Sequence, residues 1–484
     1  MSKVDTAWLR MEQPSNLMMI TGVIVFEGPV DYDSLLETVS NRFLAFPRFR
    51  QKAVDGTAGA HWARDEEFDL EAHVLRTALP GRADRQELER LVSRLASSPL
   101  DHSRPLWQFH LVENYVGGPA LVVRIHHCIA DGIALVQVFL SLTDASAEQG
   151  SRAGDAAHWK LQRAEESVLF RRLLAPARSG FDRAARLTLQ AVGQGLQVLQ
   201  QPARLTGYLQ EGWDLLGELA HALALPADPP NGFKGPLGPR KEVAWTEPLP
   251  LAEVKAVARA FGCTVNDVLI AAVTGAIRSY LLSRAGPGTE LQDFRATVPV
   301  NLRPLEHALE LGNHFGLVFL ELPVSEPNPL RRLYLVNERM TELKSSKQAA
   351  VTFGVLAALG MGPSALQKPV LDILSEKASA VLTNVPGPQY PLYLGGAKMS
   401  EMMFWVPQNG GIGVGISILS YNKQVFFGVI ADRKLVPDPG RVIERFRPEF
   451  ENLLYLGLLL SGEERPPARH ADGLLETDRK TRSA

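Results

Sequence analysis

Along this chain the apolar positions follow two periods that alternate from segment to segment. Residues 21–27 alternate as a strand does, and 31–43 follow with Leu35, Leu36, Val39 and Phe43 at helical spacing. Residues 86–97 repeat the helical pattern, with Leu88, Leu91, Val92 and Leu95 on one face. Strands are expected at 108–113 and 120–125, parted by the turn residues Gly117, Gly118 and Pro119, and a buried helix at 132–142. The later part of the chain interleaves the same two periods. Helices are predicted at 251–261, stopped by Gly262, and at 264–282; strands at 294–300 and 315–323. A hairpin of 412–419 and 424–430 turns at Tyr421-Asn422-Lys423, and 441–460 closes as a helix kinked or restarted at Pro448.

Two stretches interrupt this rhythm. Residues 143–155 are polar and read as a surface loop. Within 167–206, Phe181, Ala185, Leu189, Val192, Leu196 and Leu199 form one face, opposite Arg183, Arg186, Gln190, Gln194, Gln197 and Gln201. This basic amphipathic helix either packs on its own domain or docks on a membrane surface, and both readings stay open. Residues 226–239 hold five prolines and three glycines, so they form an irregular connector. The expected division is an N-terminal half at 1–160, a helical crossover and linker at 161–240, and a C-terminal half at 241–461. Residues 462–484 have ten charges in 23 positions and read as a disordered tail.

Composition narrows the class. The chain has 484 residues, 45% hydrophobic and 21% charged, which excludes collagen-like, low-complexity and wholly disordered proteins. A net charge of -2 supplies no global basic field, so no nucleic-acid partner is expected. Cys128 and Cys263 cannot build a disulfide framework or a Cys-rich zinc site, and a reducing, cytoplasmic setting is the simplest expectation. Lys3, Asp5, Arg10 and Glu12 break any apolar signal-peptide core, and no uncharged apolar stretch reaches the 18 or so residues of a spanning helix.

The chemistry concentrates in Ile125-His126-His127-Cys128-Ile129-Ala130-Asp131-Gly132, where a strand ends and a helix begins. Adjacent residues on extended chain point in opposite directions, so one histidine faces a cleft while the other faces the interior. Asp131 is placed to brace the loop, and Gly132 to permit a tight backbone. Four readings remain open on these residues alone. They are a structural histidine pair, a metal site, a Cys128 nucleophile, and general-base catalysis by one neutral imidazole. Consecutive histidines splay apart, which disfavours the metal. Elsewhere Thr264 is placed to cap a helix, with Asp267 completing a capping box. Asn266 then lies in the first turn, either as an amide donor to developing negative charge or as a partner for backbone groups. Gly411-x-Gly413-x-Gly415 lacks the strand–loop–helix context of a nucleotide loop; its spacing puts the three on one strand face, which suits close approach of another chain or ligand.

His126-His127-x-x-x-Asp131-Gly132 resembles the HHxxxDG motif of the coenzyme A–dependent acyltransferase superfamily. Further segments resemble specifically the bacterial wax ester synthase/diacylglycerol acyltransferases. These are Asp5-x-Ala7-Trp8-Leu9, Pro105-Leu106-Trp107, Gly238-Pro239-Arg240, Asn266-Asp267-Val268-Leu269, Val298-Pro299-Val300-Asn301-Leu302-Arg303, Gly312-Asn313-His314-Phe315-Gly316 and Thr383-Asn384-Val385-Pro386-Gly387-Pro388, in order from near Asp5 to about Leu456. The resemblance implies an α/β (α+β) fold of two chloramphenicol-acetyltransferase-like halves, each a mixed sheet flanked by helices, with the active-site tunnel between them.

It also implies transfer of a long-chain acyl group from fatty acyl-CoA to diacylglycerol or a long-chain alcohol. His127 would be the general base, Asp131 a structural support facing a cation such as Arg303, and Asn266 the oxyanion or thioester-orienting amide. Neither a cofactor, beyond acyl-CoA as substrate, nor a metal is implied. No Gly-x-Ser-x-Gly elbow is present, in keeping with a route without an acyl-enzyme. Pro105-Leu106-Trp107 would shape the site wall or place a core tryptophan at a strand entrance. Residues 383–388 would form a rigid loop near the tunnel, and 351–366 would either line the acyl channel or form a core helix with small residues at close contacts. His314 reads as a turn or packing residue. The expected setting is cytoplasmic, peripheral on the inner membrane face or on lipid inclusions. The alternatives are another superfamily reaction on a different or carrier-bound acceptor, or a non-catalytic lipid-inclusion protein.

Overall fold

The computed structural model describes residues 1–56, 59–147, 226–286, 288–302, 311–345, 348, 352 and 375–459. The helix expected at 167–206, Arg303, most of 351–366 and the tail at 462–484 lie outside the described residues. The first part of the chain comprises α1 (Lys3–Met11), β1 (Met19–Glu27), α2 (Tyr32–Thr38), β2 (Gln51–Gly56), β3 (Gly59–Arg64), β4 (Val74–Thr77), α3 (Arg85–Ala96), β5 (Trp107–Val112), β6 (Ala120–His126) and α4 (Gly132–Leu142). After the connector come β7 (Lys241–Trp245), β8 (Leu249–Pro250), α5 (Leu251–Phe261), α6 (Val265–Ala285), β9 (Phe294–Asn301), β10 (Phe315–Leu322) and α7 (Pro329–Ser345). The last group is β11 (Ala380–Pro386), β12 (Tyr393–Leu394), β13 (Ala397–Trp405), β14 (Val414–Tyr421), β15 (Gln424–Asp432) and α8 (Gly440–Leu459).

Two mixed sheets carry the fold. The first runs β12-β13-β1-β6-β5-β4 and the second β10-β9-β11-β14-β15-β7, with β8 also paired to β15. The chain does not keep each sheet to its own stretch of sequence. β12 and β13 leave the part expected to form the C-terminal half and pair into the first sheet, β13 lying antiparallel to β1. A boundary at 241 therefore does not part the two sheets. Helix α3 adds a second tie across that boundary. Ser93 and Ser97, one helical turn apart, have hydroxyl oxygens that accept from the backbone N–H groups of Val243 (2.9 Å) and Lys241 (2.8 Å). Those donors on edge strand β7 would otherwise be unpaired, so the two serines cover the edge of the second sheet.

Local rules explain many boundaries. Gly262 ends α5 in the left-handed region at φ 67°. Thr264 and Asp267 form a reciprocal capping box at the start of α6. The β14–β15 hairpin closes on Asn422 and Lys423, both at positive φ, as a two-residue turn between twisted strands requires. Strand β1 is buried on both faces except at Glu27, so alternation at 21–27 marks no solvent face.

Elsewhere the structure differs from expectation. α8 continues through Pro448 as one helix rather than restarting. Phe446, Phe450, Leu453 and Leu456 are buried along it, and that packing offsets the backbone hydrogen bond the proline cannot make. Most of 383–388 is not loop but the end of β11, parallel to β14. Of the spaced glycines, Gly415 alone lies within β14. Gly411 and Gly413 precede the strand, so the three do not share one strand face, but a Cβ on Gly413 would come within 2.7 Å of the Phe233 carbonyl, so that residue admits the connector chain. Helix α6 is long and apolar enough to cross a membrane by length and composition, yet it is largely buried as the core helix of the second half, packed by α7 and α8.

Candidate active site

Strand β6 delivers His126 and His127 to the first sheet's end, and Asp131 caps the helix that leaves. One Asp131 oxygen accepts from Ala134 N–H (2.9 Å), and the other accepts from the backbone N–H of His314 (2.9 Å). The carboxylate thus pins the histidine loop to the loop between β9 and β10. Gly132 adopts no left-handed conformation, and a Cβ there would meet nothing within 4 Å. The expectation of a tight backbone at Gly132 is corrected, because the turn is held by Asp131 and not by a glycine conformation.

The two imidazoles face different partners. The His126 Nδ1 accepts from Cys128 N–H (3.1 Å), which leaves Nε2–H to donate to Glu12 (2.6 Å). Glu12 also meets His102 at 3.2 Å, and these two histidines hold its carboxyl down at about 2 against the upward push of burial. His127 turns the other way. Its ring lies against Trp8, with centroids 4.1 Å apart and planes 16° apart, and packs beside Phe315. Its Nδ1 is 2.9 Å from Asn313 Oδ1.

The orientation of Asn313 follows from its other neighbours. Its Nδ2 lies 2.8 Å from Asp5 Oδ1 and 2.8 Å from the His127 carbonyl, and both of these can only accept. The amide nitrogen must point at them, so the amide oxygen faces His127 and the imidazole carries its proton on Nδ1. Among the described residues Nε2 has no hydrogen-bond partner, and it keeps the lone pair. Burial pulls the imidazole pKa down to about 4, against the opposing pull of Asp131, so the ring is neutral near pH 7. Asp5 is buried, accepts also from Asn313 N–H (2.9 Å), and meets Arg48 at 3.4 Å; Arg48 in turn donates to the Ile129 carbonyl. Gly312, at φ 126°, brings its chain close enough that a Cβ would sit 3.5 Å from Asp5.

The remaining predicted residues are dispersed. Asn266 is half-buried in the first turn of α6, where its side-chain oxygen accepts from the Asn384 amide on β11. Asp267 faces inward, accepting from Thr264 N–H and from Asn337 Nδ2 (2.7 Å). Trp107 is fully buried, donates to the Phe49 carbonyl (2.8 Å) and packs on His73, Phe43 and Phe49. Of the two readings for Pro105-Leu106-Trp107, the tryptophan is the core residue at a strand entrance, while the carbonyl of Leu106 accepts from His126 N–H. Cys128 is buried with its thiol pushed well up by desolvation, the opposite of an activated nucleophile. Among the described residues no three His, Cys, Asp or Glu side chains group as metal ligands.

Comparison with known proteins decides the family. A family model for the wax ester synthase/diacylglycerol acyltransferase catalytic domain matches residues 1–269, and the corresponding C-terminal domain matches 311–454. The chain belongs to this family. A probable diacylglycerol O-acyltransferase of Mycobacterium tuberculosis is 28% identical over 453 residues, covering 91% of this chain and 93% of the relative. A second, putative one from the same organism is 30% identical over 404 residues, covering 81% and 77%. Among solved structures, the wax ester synthase/diacylglycerol acyltransferase of Marinobacter aquaeolei VT8 superposes with a TM-score of 0.65 at 22% identity, covering 94% of this chain and 98% of that one. The first condensation domain of the calcium-dependent antibiotic synthetase shares the fold, with a TM-score of 0.54 at 16% identity and 97% coverage of both chains.

Within this wax ester synthase/diacylglycerol acyltransferase, sequence reasoning passed over four residues that surround the histidines: Asp5, Trp8, Glu12 and Asn313. Asp5, Trp8 and Asn313 stood inside motifs without a role. The available signal was chemical: an acid on an otherwise buried helix face needs a partner. That partner lies 308 positions away.

Proposed function

We propose that this protein transfers a long-chain fatty acyl group from acyl-CoA to the hydroxyl of diacylglycerol or of a long-chain alcohol, with His127 as general base. The observation that carries this is the neutral imidazole whose Nδ1 proton is engaged by Asn313 and whose Nε2 is left without a partner among the described residues. Nε2 takes the proton as the acceptor oxygen attacks the thioester carbonyl carbon. The tetrahedral oxyanion then collapses, the C–S bond breaks, and the imidazolium returns its proton to the departing thiolate, giving ester and free CoA. No protein atom is acylated, in keeping with the inert Cys128 thiol.

Asn266 supplies the amide that meets the oxyanion. Its side-chain oxygen is held by Asn384, which turns its N–H donors to other partners beside the start of α6, where the helix dipole favours negative charge. Asp131 acts through structure, by holding the histidine loop. The acceptors are nearly insoluble lipids, so the working site is the cytoplasmic face of a membrane or a lipid inclusion, reached peripherally, with acyl-CoA as substrate and no further cofactor.

The test is release of CoA thiol from palmitoyl-CoA by purified protein, given hexadecanol or a diacylglycerol, beside His127→Ala. Acceptor-dependent release that collapses in the variant supports the reading, and the two acceptors rank the products. No release with either acceptor would turn the reading toward a carrier-bound acceptor or lipid binding without catalysis.

A further inference from the structure

We propose that Asn313, oriented by Asp5, is the positioning residue that selects the reactive tautomer of His127, so that the base is assembled from both halves of the molecule. This rests on the reading of His127 as the base. Three parts of the chain meet here: helix α1 brings Asp5, the loop after β6 brings His127, and the loop before β10 brings Asn313.

Each contact has a separate consequence. A neutral imidazole in water divides its proton between two nitrogens, and only the form with a bare Nε2 can take a proton there. The Asn313 oxygen accepts at Nδ1 and so favours that form. An amide could flip and present its nitrogen instead, which would force the proton to Nε2 and disable the base. Asp5 prevents the flip, because its carboxylate accepts from both the side-chain and the backbone N–H of Asn313. The His127 carbonyl accepts from the same side-chain nitrogen, so ring and main chain of one residue are held by one amide.

The choice of an amide also matters for charge. Among the described residues, the charged or titratable groups that act on the ring are Asp131 and His126, with Asp5 reaching it through Asn313. Unlike a carboxylate on Nδ1, an amide does not hold the imidazole protonated before substrate arrives. When Nε2 accepts the hydroxyl proton, the Nδ1–H···O bond becomes charge-assisted and strengthens. Asn313 cannot accept the Nδ1 proton, so the only proton the ring can return is the one on Nε2, which goes to the CoA thiolate. Trp8, stacked on the imidazole, presents its π face to the cation formed in that step.

The experiment compares kcat, KM for palmitoyl-CoA and the pH dependence of kcat/KM for the full chain and four variants. Asn313→Ala is expected to lower kcat about 10²-fold with KM little changed, and Asp5→Asn to lower it about tenfold. The paired exchange Asp5→Asn with Asn313→Asp places a carboxylate directly on Nδ1. It should recover part of the Asn313→Ala loss while moving the acid limb of kcat/KM upward by a pH unit or more. A merely structural Asn313 would change thermal stability and leave that limb in place. Wild-type kcat and an unmoved limb in Asn313→Ala and in the exchange, with His127→Ala inactive, overturn the positioning role alone. An active His127→Ala overturns the base itself. Should the Asn313 variants fail to fold, the 15N spectrum of histidine-labelled wild-type protein decides. A proton on Nδ1 of His127 is expected, and a proton on Nε2 overturns the proposal.

Discussion

His126 and His127 are neighbours in sequence, both buried, and their surroundings are opposite in kind. His126 donates to a carboxylate, Glu12, within reach of a second histidine, whereas His127 donates to an amide and lies under an indole. The first pocket stores charge: Glu12 stays ionised down to about pH 2, and the pair ties the end of β6 to the segment after α1. The second pocket excludes charge until the reaction supplies it. Burial alone lowers an imidazole in both, so burial does not make a base. The distinction lies in which nitrogen is committed. His126 uses both of its nitrogens on protein partners, and among the described residues His127 commits only one.

The largest effect that can break this contrast is removal of each imidazole in turn. His127→Ala should cost about 10²–10⁴ in kcat, while His126→Ala should keep near-normal kcat per folded molecule and lose about 2–3 kcal/mol of stability. Single-turnover kinetics beside urea melts separate the two, and equal kcat losses would erase the distinction. Next in size is Trp107→Ala, which empties a core site beside Phe43, Phe49 and His73, on the sheet face opposite His126. It should cost about 3–5 kcal/mol with KM and kcat kept below the melting range. A large KM change would instead return Trp107 to the substrate wall.

Acid provides a third break, because His127 has a folded pKa near 4 against 6.5 in the free residue. The unfolded chain binds the extra proton over that interval, so the stability held by the neutral ring is present above pH 6.5 and lost as pH falls toward 4, by about 3 kcal/mol. His127→Gln should show a smaller drop between pH 7 and pH 4.5 in denaturant melts. An identical drop would mean that the proton goes elsewhere. A fourth effect, about 10²-fold in kcat, is expected from Asn266→Ala, with Asn266→Gln no better, if the amide meets the oxyanion. The smallest is Gly132→Ala. A methyl group there meets open space, so stability should move by no more than about 0.5 kcal/mol, and a larger loss would show that the loop needs its glycine.

What could be read from the sequence was whatever depends on near neighbours. The limits of α4 and α5, the Thr264–Asp267 capping box and the Asn422–Lys423 turn each follow from residues within four positions. The splaying of His126 from His127 was equally local. The partners were not. Asp131 meets His314 across 183 positions and Asn313 meets Asp5 across 308, and no periodicity encodes such a pairing. Strand β13 was missed for a related reason. Ala397–Trp405 shows an irregular burial pattern and is a strand because β1 offers it an edge. The Pro105-Leu106-Trp107 motif shows the reverse limit, since a recognisable motif does not reveal which of its residues face substrate and which face the core.

The insertion of β13 beside β1 also sets a timetable for biogenesis. One edge of β1 is satisfied early, by β6, but the other must wait for residues that emerge from the ribosome far later. At roughly 5–20 residues per second that interval is tens of seconds. Throughout it, Ile24, Val25 and Phe26 lie beside open backbone donors and acceptors, a template for strand addition by another nascent chain. Truncated versions ending before Ala397 should therefore aggregate rather than yield a separable N-terminal half.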